Sequence, residues 1–266
     1  MYPKYFFENG DPRLKDNLSE LFLFLDFDGT LVPIKDDPAQ CFLKSDTMSQ
    51  MEAISQSGKA TVAVLSGRTV EEIKKRVPVQ GIYYGGNHGL EISGPDLSYL
   101  HPDALCGKQA MEHIFKKIKK KTLNIGGALV ERKKFGFSLH YRMANKEDRV
   151  LIKKIFYETI SSNQYRYTFS ILPGKKVLEL VPKVKWDKGR AALFLLKRQK
   201  KDYLPIYVGD DKTDETGFNA LRTQGVTVRV GKSKKTKAEY YLKGQWQMIK
   251  FLQHIHSLVK LGNRYA

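Results

Sequence analysis

Two carboxylates with one residue between them, Asp26 and Asp28, stand directly behind the apolar run Leu21-Phe22-Leu23-Phe24-Leu25. A second acidic group, Asp210, Asp211 and Asp214, follows another apolar run that ends at Val208. Acidic groups at neighbouring strand ends repel unless a cation lies between them. A few hard oxygen ligands suit Mg²⁺, which keeps several of its waters. Between the two groups come donors. Ser66 ends the run Ala60–Leu65, and Lys188 opens a segment behind Asp187. A hydroxyl, helix-end amides and an ammonium are what a phosphoryl group needs for orientation and charge neutralisation. A carboxylate in that setting can act as nucleophile and become an aspartyl phosphate. Its neighbour can protonate the leaving oxygen and later take a proton from water. Each piece alone is weak, since an Asp-x-Asp pair is commonly only a turn. Their order, spacing and placement behind buried strands carry the reading.

The elements that must position these residues follow from periodicity. Leu21–Leu25 and Ala60–Leu65 are continuous rather than alternating, so they read as strands buried on both faces. Gly81–Tyr84, Pro205–Val208 and Val226–Val230 read as further strands. Thr69 with Glu72 spells a capping box, and Val70, Ile73 and Val77 share one helical face. Helices are expected over a segment containing Met48, Met51 and Ile54, from Asp187 through Arg198, over Thr213–Leu221 and over Trp246–Val259. In doubly wound sheets, ligands bind beyond the carboxyl ends of the strands, where all the acidic groups fall. The middle of the chain differs. A helix over Ala110–Lys121, strands Ala128–Lys133 and Phe135–Arg142, and a helix over Lys146–Ile160 capped by Asn145 come first. Strands Tyr167–Leu172 and Lys176–Val181, turned at Pro173-Gly174, close it. The expected architecture is α/β: a doubly wound parallel-sheet, Rossmann-like hydrolase core over 1–100 and 185–266. A smaller α+β domain is inserted over 101–184.

Composition sets the outer bounds. The 266 residues are 41% hydrophobic, enough for a substantial core. No apolar run approaches a membrane span, and no secretory leader is visible in the opening residues. Two cysteines, Cys41 and Cys106, are too few for a disulfide scaffold or a cysteine zinc site. A cytoplasmic protein with no membrane partner is expected. The net charge of +18 invites a nucleic-acid reading. However, the cluster Lys116–Lys121 shares its segment with Ala110, Met111, Ile114, Phe115 and Ile118 at helical spacing. That pattern is a buried stripe with a solvated lysine face. Nucleic acid is the disfavoured partner, and a field that attracts a small anionic substrate is the alternative. Gly225–Ser233 imitates a nucleotide-binding loop, but five residues separate its glycines instead of four, and Val226–Val230 reads as the strand itself.

This arrangement resembles the haloacid dehalogenase superfamily of phosphohydrolases. Asp26-Phe27-Asp28-Gly29-Thr30 is similar to its first motif, Ser66 to its second, Lys188 to its third, and Gly209–Asp214 to its fourth. The segments LDFDGTLVPI, LSGR, GGNHGLE, VERKKFGFSLHYR, VLELVP, KWDKGRA and GDDKTDETGF further resemble the trehalose-6-phosphate phosphatases, from Leu25 to Phe218. The resemblance implies Mg²⁺-dependent release of phosphate from trehalose 6-phosphate through a phosphoaspartate. It implies Asp26 as nucleophile, Asp28 as general acid and base, and Ser66 and Lys188 as holders of the phosphoryl oxygens. The metal would be held by Asp26, the main-chain oxygen of Asp28 and Asp210, supported by Asp211 and Asp214. The inserted domain would be a cap that closes over the core and reads the sugar. Glu131, Lys133 and Glu179 match sugar-reading positions, with Arg142 and His140 as further ones. Arg68, Asn87 and His88 would line the cleft from below. His140 and His88 read equally well as packed or hydrogen-bonding structural histidines, and Lys133 as a solvated strand residue. Phe27 replaces the tyrosine frequent in the first motif, a position outside the chemistry.

Three other readings compete. One is a related phosphatase acting on sucrose 6-phosphate or mannosyl-3-phosphoglycerate. Another is a non-catalytic sugar-phosphate sensor, against which the intact set Asp26, Asp28, Ser66, Lys188 and Asp210 argues. The third is nucleic-acid binding through the lysine clusters. Association with a separate trehalose-6-phosphate synthase has no support in the sequence.

Overall fold

The computed structural model describes residues 2–15, 20–162 and 166–262. The chain divides into two compact units, Met1–Tyr99 with Trp186–Ala266, and Leu100–Lys185. The strands in chain order are β1 (Lys4–Tyr5), β2 (Glu20–Leu25), β3 (Ala60–Leu65), β4 (Tyr83–Gly86), β5 (Glu91–Gly94), β6 (Leu97–Leu100), β7 (Leu129–Arg132), β8 (Phe137–His140), β9 (Phe169–Gly174), β10 (Val177–Pro182), β11 (Tyr203–Gly209), β12 (Val226–Val230) and β13 (Tyr240–Leu242).

Among the described residues, the first unit carries a sheet in the order β1-β13-β12-β11-β2-β3-β4-β5-β6. From β1 to β4 every pairing is parallel, and β5 turns antiparallel against β4. The apolar run of β2 explains the layering. Leu21, Leu23 and Leu25 enter one core with Met51, Ile54, Ile73, Phe251 and Ile255. Phe22 and Phe24 enter the other with Ala191, Leu195, Tyr207, Phe218 and Leu221. A strand with helices on both faces must be apolar at every position, which is why the run does not alternate. The expected doubly wound parallel sheet is therefore present. Thr69 caps helix Val70–Arg76 in a reciprocal capping box with Glu72. Thr69→Ala is expected to lower stability by about 1 kcal/mol. Chemical denaturation of the two proteins checks it, and an unchanged midpoint would contradict it.

The second unit folds on its own sheet, β7-β8-β10-β9, with antiparallel neighbours throughout. Phe137, Leu139, Leu178 and Leu180 face helices Lys108–Thr122 and Lys146–Ser161 through Ile114, Ile118, Ile152 and Phe156. Alternation sends Glu131, Ser138, His140 and Glu179 to the opposite face. The lysines of Lys116–Lys121 are exposed beside the buried stripe.

Several boundaries differ from the sequence expectation. The third strand is Tyr83–Gly86 rather than Gly81–Tyr84. A Cβ at Gly85 would meet Leu65 Cδ2 at 2.5 Å, and one at Gly86 the Val70 nitrogen at 2.5 Å. Close approach to β3 and its following helix thus demands glycine where a strand usually shows bulk. Pro173 and Gly174 are not the turn: they pair with Leu178 and Val177 inside β9. The reversal falls on Lys175-Lys176, with Lys176 at φ 67°. The helix expected over Trp246–Val259 runs Met248–Gly262 behind a short 3-10 turn. Val226–Val230 is a strand, so no phosphate loop follows a strand there.

Candidate active site

Parallel register gathers the sequence motifs at one edge of the first unit. Leu25 pairs with both Val64 and Val208, so the residues that follow these three positions emerge side by side. Asp26 leaves β2 with its N–H donated to the carbonyl of Val208. Gly29 turns the chain at φ 92°. A Cβ there would lie 2.3 Å from Asp210 Oδ2, so the turn runs against the second acidic group. Gly29→Ala is expected to cut kcat/KM by about tenfold or more, through backbone strain and displacement of Asp210. Steady-state kinetics test it, and wild-type activity would show that this approach is unimportant.

The centre of the site is an ion-pair network. Lys188 Nζ donates to Asp26 Oδ1 at 2.6 Å and to Asp214 Oδ1 at 2.8 Å. Lys188 is 2% exposed, Asp26 4% and Asp214 0%. Asp187 caps helix Lys188–Arg198 and so fixes where the ammonium emerges. Asp214 is saturated: Oδ1 also accepts from Tyr207 Oη at 3.1 Å, and Oδ2 accepts the N–H groups of Asp210 and Asp211 at 3.0 Å each. Asp26 differs, since its Oδ2 is buried with no hydrogen-bond partner. Burial, then the charge of Asp214, push the Asp26 carboxyl well above 3.8, against the pull of Lys188. Burial alone would lower the Lys188 ammonium, but Asp214 and Asp26 outweigh it and hold it protonated. Burial, then Asp214, raise the Tyr207 phenol, which therefore stays a donor.

Asp26, Asp210 and Asp214 can each place one carboxylate oxygen within 4.8 Å of the others. Three buried carboxylates face one ammonium, and the deficit of positive charge together with the unpartnered Asp26 oxygen fits a divalent cation. Asp211 does not join them. It stands at the N-cap of the short turn Lys212–Asp214 and braces the group through its backbone, donating its N–H to Asp214 Oδ2. Asp28 also stands apart from the three, half-exposed. Both its oxygens accept from the Arg68 guanidinium, at 2.7 Å each. Arg68 is buried, over the Phe27 ring and bonded to the carbonyl of Pro38. Ser66 lies at the end of β3, its Oγ accepting the Arg68 N–H at 3.1 Å. Asn87 and His88 follow β4 and are joined by backbone bonds to Arg68 and Ser66.

In the first unit, two contributors escape the sequence reading. Tyr207 sits mid-strand in an apolar run and reads as core. Arg229 donates to the main-chain oxygen of Asp210 and pairs with Glu215 at 2.9 Å. Its one signal was a lone cation inside the otherwise uncharged strand Val226–Val230.

The second unit holds its own polar group. Lys133 Nζ donates to Glu179 Oε1 at 2.8 Å, and Ser138 Oγ to the same oxygen at 3.1 Å. His140 Nε2 lies 2.7 Å from Glu131 Oε2. Lys133 is therefore ion-paired, not a solvated strand end. Arg142 donates to the carbonyl of Lys175 at 2.7 Å. Ser138 is a further contributor that the sequence reading lacks, although its two-residue offset from His140 puts it on the same face.

Residues 24–245 match the trehalose-phosphatase family. Trehalose-phosphate phosphatase B of Arabidopsis thaliana is 34% identical over 89% of this chain and 66% of its own length. Probable trehalose-phosphate phosphatase C of the same plant is 33% identical over 89% of this chain and 77% of its own. The chain thus spans about two thirds of the first of these relatives, just under that share. Among solved structures, the C-terminal domain of a Candida albicans trehalose-6-phosphate phosphatase superposes with a TM-score of 0.82 at 24% identity. It covers 97% of this chain and 98% of that one, a likeness of fold. A Synechocystis sucrose-phosphatase superposes at 0.57 with 16% identity, over 89% of this chain and 98% of that one. With its motifs gathered at one sheet edge and this match over most of its length, the chain belongs to the trehalose-phosphatase family, phosphatases of the haloacid dehalogenase superfamily.

Proposed function

We propose that this chain hydrolyses trehalose 6-phosphate to trehalose and phosphate through an aspartyl phosphate on Asp26. The observation that carries the reading is the buried Asp26–Lys188–Asp214 network with one Asp26 oxygen left without a partner. Lys188 fixes the Asp26 carboxylate by its other oxygen. The carboxylate attacks phosphorus, the bond to the sugar oxygen breaks, and the electron pair leaves with that oxygen. Asp28, held ready by Arg68 as a carboxylate, must leave that pair and take up a proton from solvent; it then gives this proton to the leaving oxygen. Water then attacks the aspartyl phosphate, Asp28 takes the water's proton, and the bond to Asp26 breaks to free phosphate. Ser66 and Lys188 hold phosphoryl oxygens through both steps. Asp26, Asp210 and the main-chain oxygen of Asp28 would hold Mg²⁺, with Asp214 positioning Lys188 and the Asp210 backbone. Bound there, Mg²⁺ would neutralise charge on the phosphoryl group.

Residues 1–100 and 185–266 are the phosphatase core in this proposal, and 101–184 a specificity cap. Glu131, Lys133, His140, Arg142 and Glu179 read the sugar. A disaccharide offers only hydroxyls, so fixed polar partners reject a wrong sugar by being left unpaired. The relatives named as trehalose-phosphate phosphatases support the substrate. Among the described residues no helix is long and apolar enough to cross a membrane, and both cysteines are free thiols. A cytoplasmic setting and a small-molecule partner complete the proposal.

A panel of trehalose 6-phosphate, sucrose 6-phosphate and mannosyl-3-phosphoglycerate, each with and without Mg²⁺, tests the substrate. Release mainly from trehalose 6-phosphate is expected. Preference for another sugar phosphate would overturn the reading of the cap and keep the core chemistry.

A further inference from the structure

The turn behind β4 holds two consecutive non-glycine residues in the left-handed region, Asn87 at φ 50° and His88 at φ 60°. Such residues are strained, and two in succession persist only where the surroundings hold them. The fastening is visible. The Asn87 N–H donates to the carbonyl of Arg68 at 2.7 Å, and the His88 N–H to that of Ser66 at 2.9 Å. The His88 ring lies over Gly67, where a Cβ would come within 2.8 Å of its Cε1. The strained turn is thus zipped to the Ser66–Arg68 loop at the carboxyl edge of the sheet.

Both of those bonds come from the backbone, and glycine would make them without strain. The chain has glycine at 85, 86 and 89, yet it has asparagine at 87. What asparagine adds is an amide. Asn87 is 5% exposed, and its Nδ2 is buried without a hydrogen-bond partner. A buried donor left unmade opposes folding unless a ligand takes it up.

We propose that Asn87 contacts substrate directly: Nδ2 donates to an oxygen of the phosphoryl ester held beside Ser66. This rests on the phosphatase reading of the site. It adds an uncharged donor to the Ser66 hydroxyl and the Lys188 ammonium, supplied by a third strand end.

Asn87→Gly separates the amide from the turn. Three quantities are compared with wild type in Mg²⁺: melting temperature, kcat/KM for trehalose 6-phosphate, and the inhibition constant of inorganic phosphate. The variant is expected to melt at the same temperature or higher, since strain and an unmade donor are both removed. Its kcat/KM should fall about 10- to 100-fold, and phosphate inhibition should weaken by a comparable factor. Kinetics within about threefold of wild type would overturn the proposal. So would a fall in melting temperature, which would make the side chain structural. Loss on trehalose 6-phosphate with unchanged phosphate inhibition would put the amide on the sugar and overturn the phosphoryl assignment. Wild type that ignores trehalose 6-phosphate, while phosphate binding by calorimetry still weakens in the variant, would sink the substrate reading and uphold Asn87.

Discussion

Asp26→Asn is expected to lower kcat by at least about 10³-fold, since an amide cannot form the phosphoryl ester on which both half-reactions depend. The same variant should fold at least as well as wild type. Its amide oxygen can still accept from Lys188, and one charge disappears from a buried cluster of three carboxylates around one ammonium. The pH dependence has a definite sign. The folded Asp26 carboxyl is raised above 3.8, so above that pH the folded chain keeps a proton that the unfolded chain has lost. Without metal, this residue makes wild-type stability fall as pH rises through the interval between the two values. Asn at 26 removes that contribution. Thermal melts in chelator across this range, beside single-turnover kinetics, read both effects. Retained turnover would show that Asp26 is not the nucleophile, and a collapse in melting temperature would show that its charge supports the fold.

Asp214→Ala should do the opposite to stability. Asp214 is fully buried and accepts from Lys188, Tyr207 and the backbone N–H groups of Asp210 and Asp211. Removing it strands these donors and leaves Lys188 with Asp26 alone. Breaking a buried pair in this way costs about 3–5 kcal/mol. For a domain of this size that corresponds to roughly 10 °C in Tm. Activity should fall with it, because the Asp210 backbone loses its anchor. Asp214→Asn, which keeps an acceptor, should lie between. A Tm within about 2 °C of wild type for the alanine variant would show that the network contributes little.

These two residues carry the same side chain; the family resemblance marks Asp26 as nucleophile and Asp214 as support, and the structure adds which donors that support holds. The motif residues were legible because each stands behind a run whose unbroken apolarity marks a central parallel strand. Register then places Asp26, Ser66 and Asp210 at one edge, and Asp187 fixes Lys188 as the first residue of its helix. Side-chain pairings across the chain were not legible. Arg68 reaches Asp28 and Lys188 reaches both Asp26 and Asp214 over long separations, and no local pattern encodes such choices. Asp211 supports the acidic group through its backbone N–H to Asp214, a role that the residue type alone does not tell apart from a carboxylate ligand. Strands β1, β5, β6 and β13 escaped for another reason: they are two to four residues long, too short for alternation to show.

The most direct test of the central claim is phosphate release from trehalose 6-phosphate by the purified wild-type chain, measured with Mg²⁺ and again after its removal by chelator. Rapid release that stops without Mg²⁺ and returns when it is restored is the expected result. No release under either condition would contradict the account, and release unaffected by chelation would contradict the metal-assisted attack by Asp26.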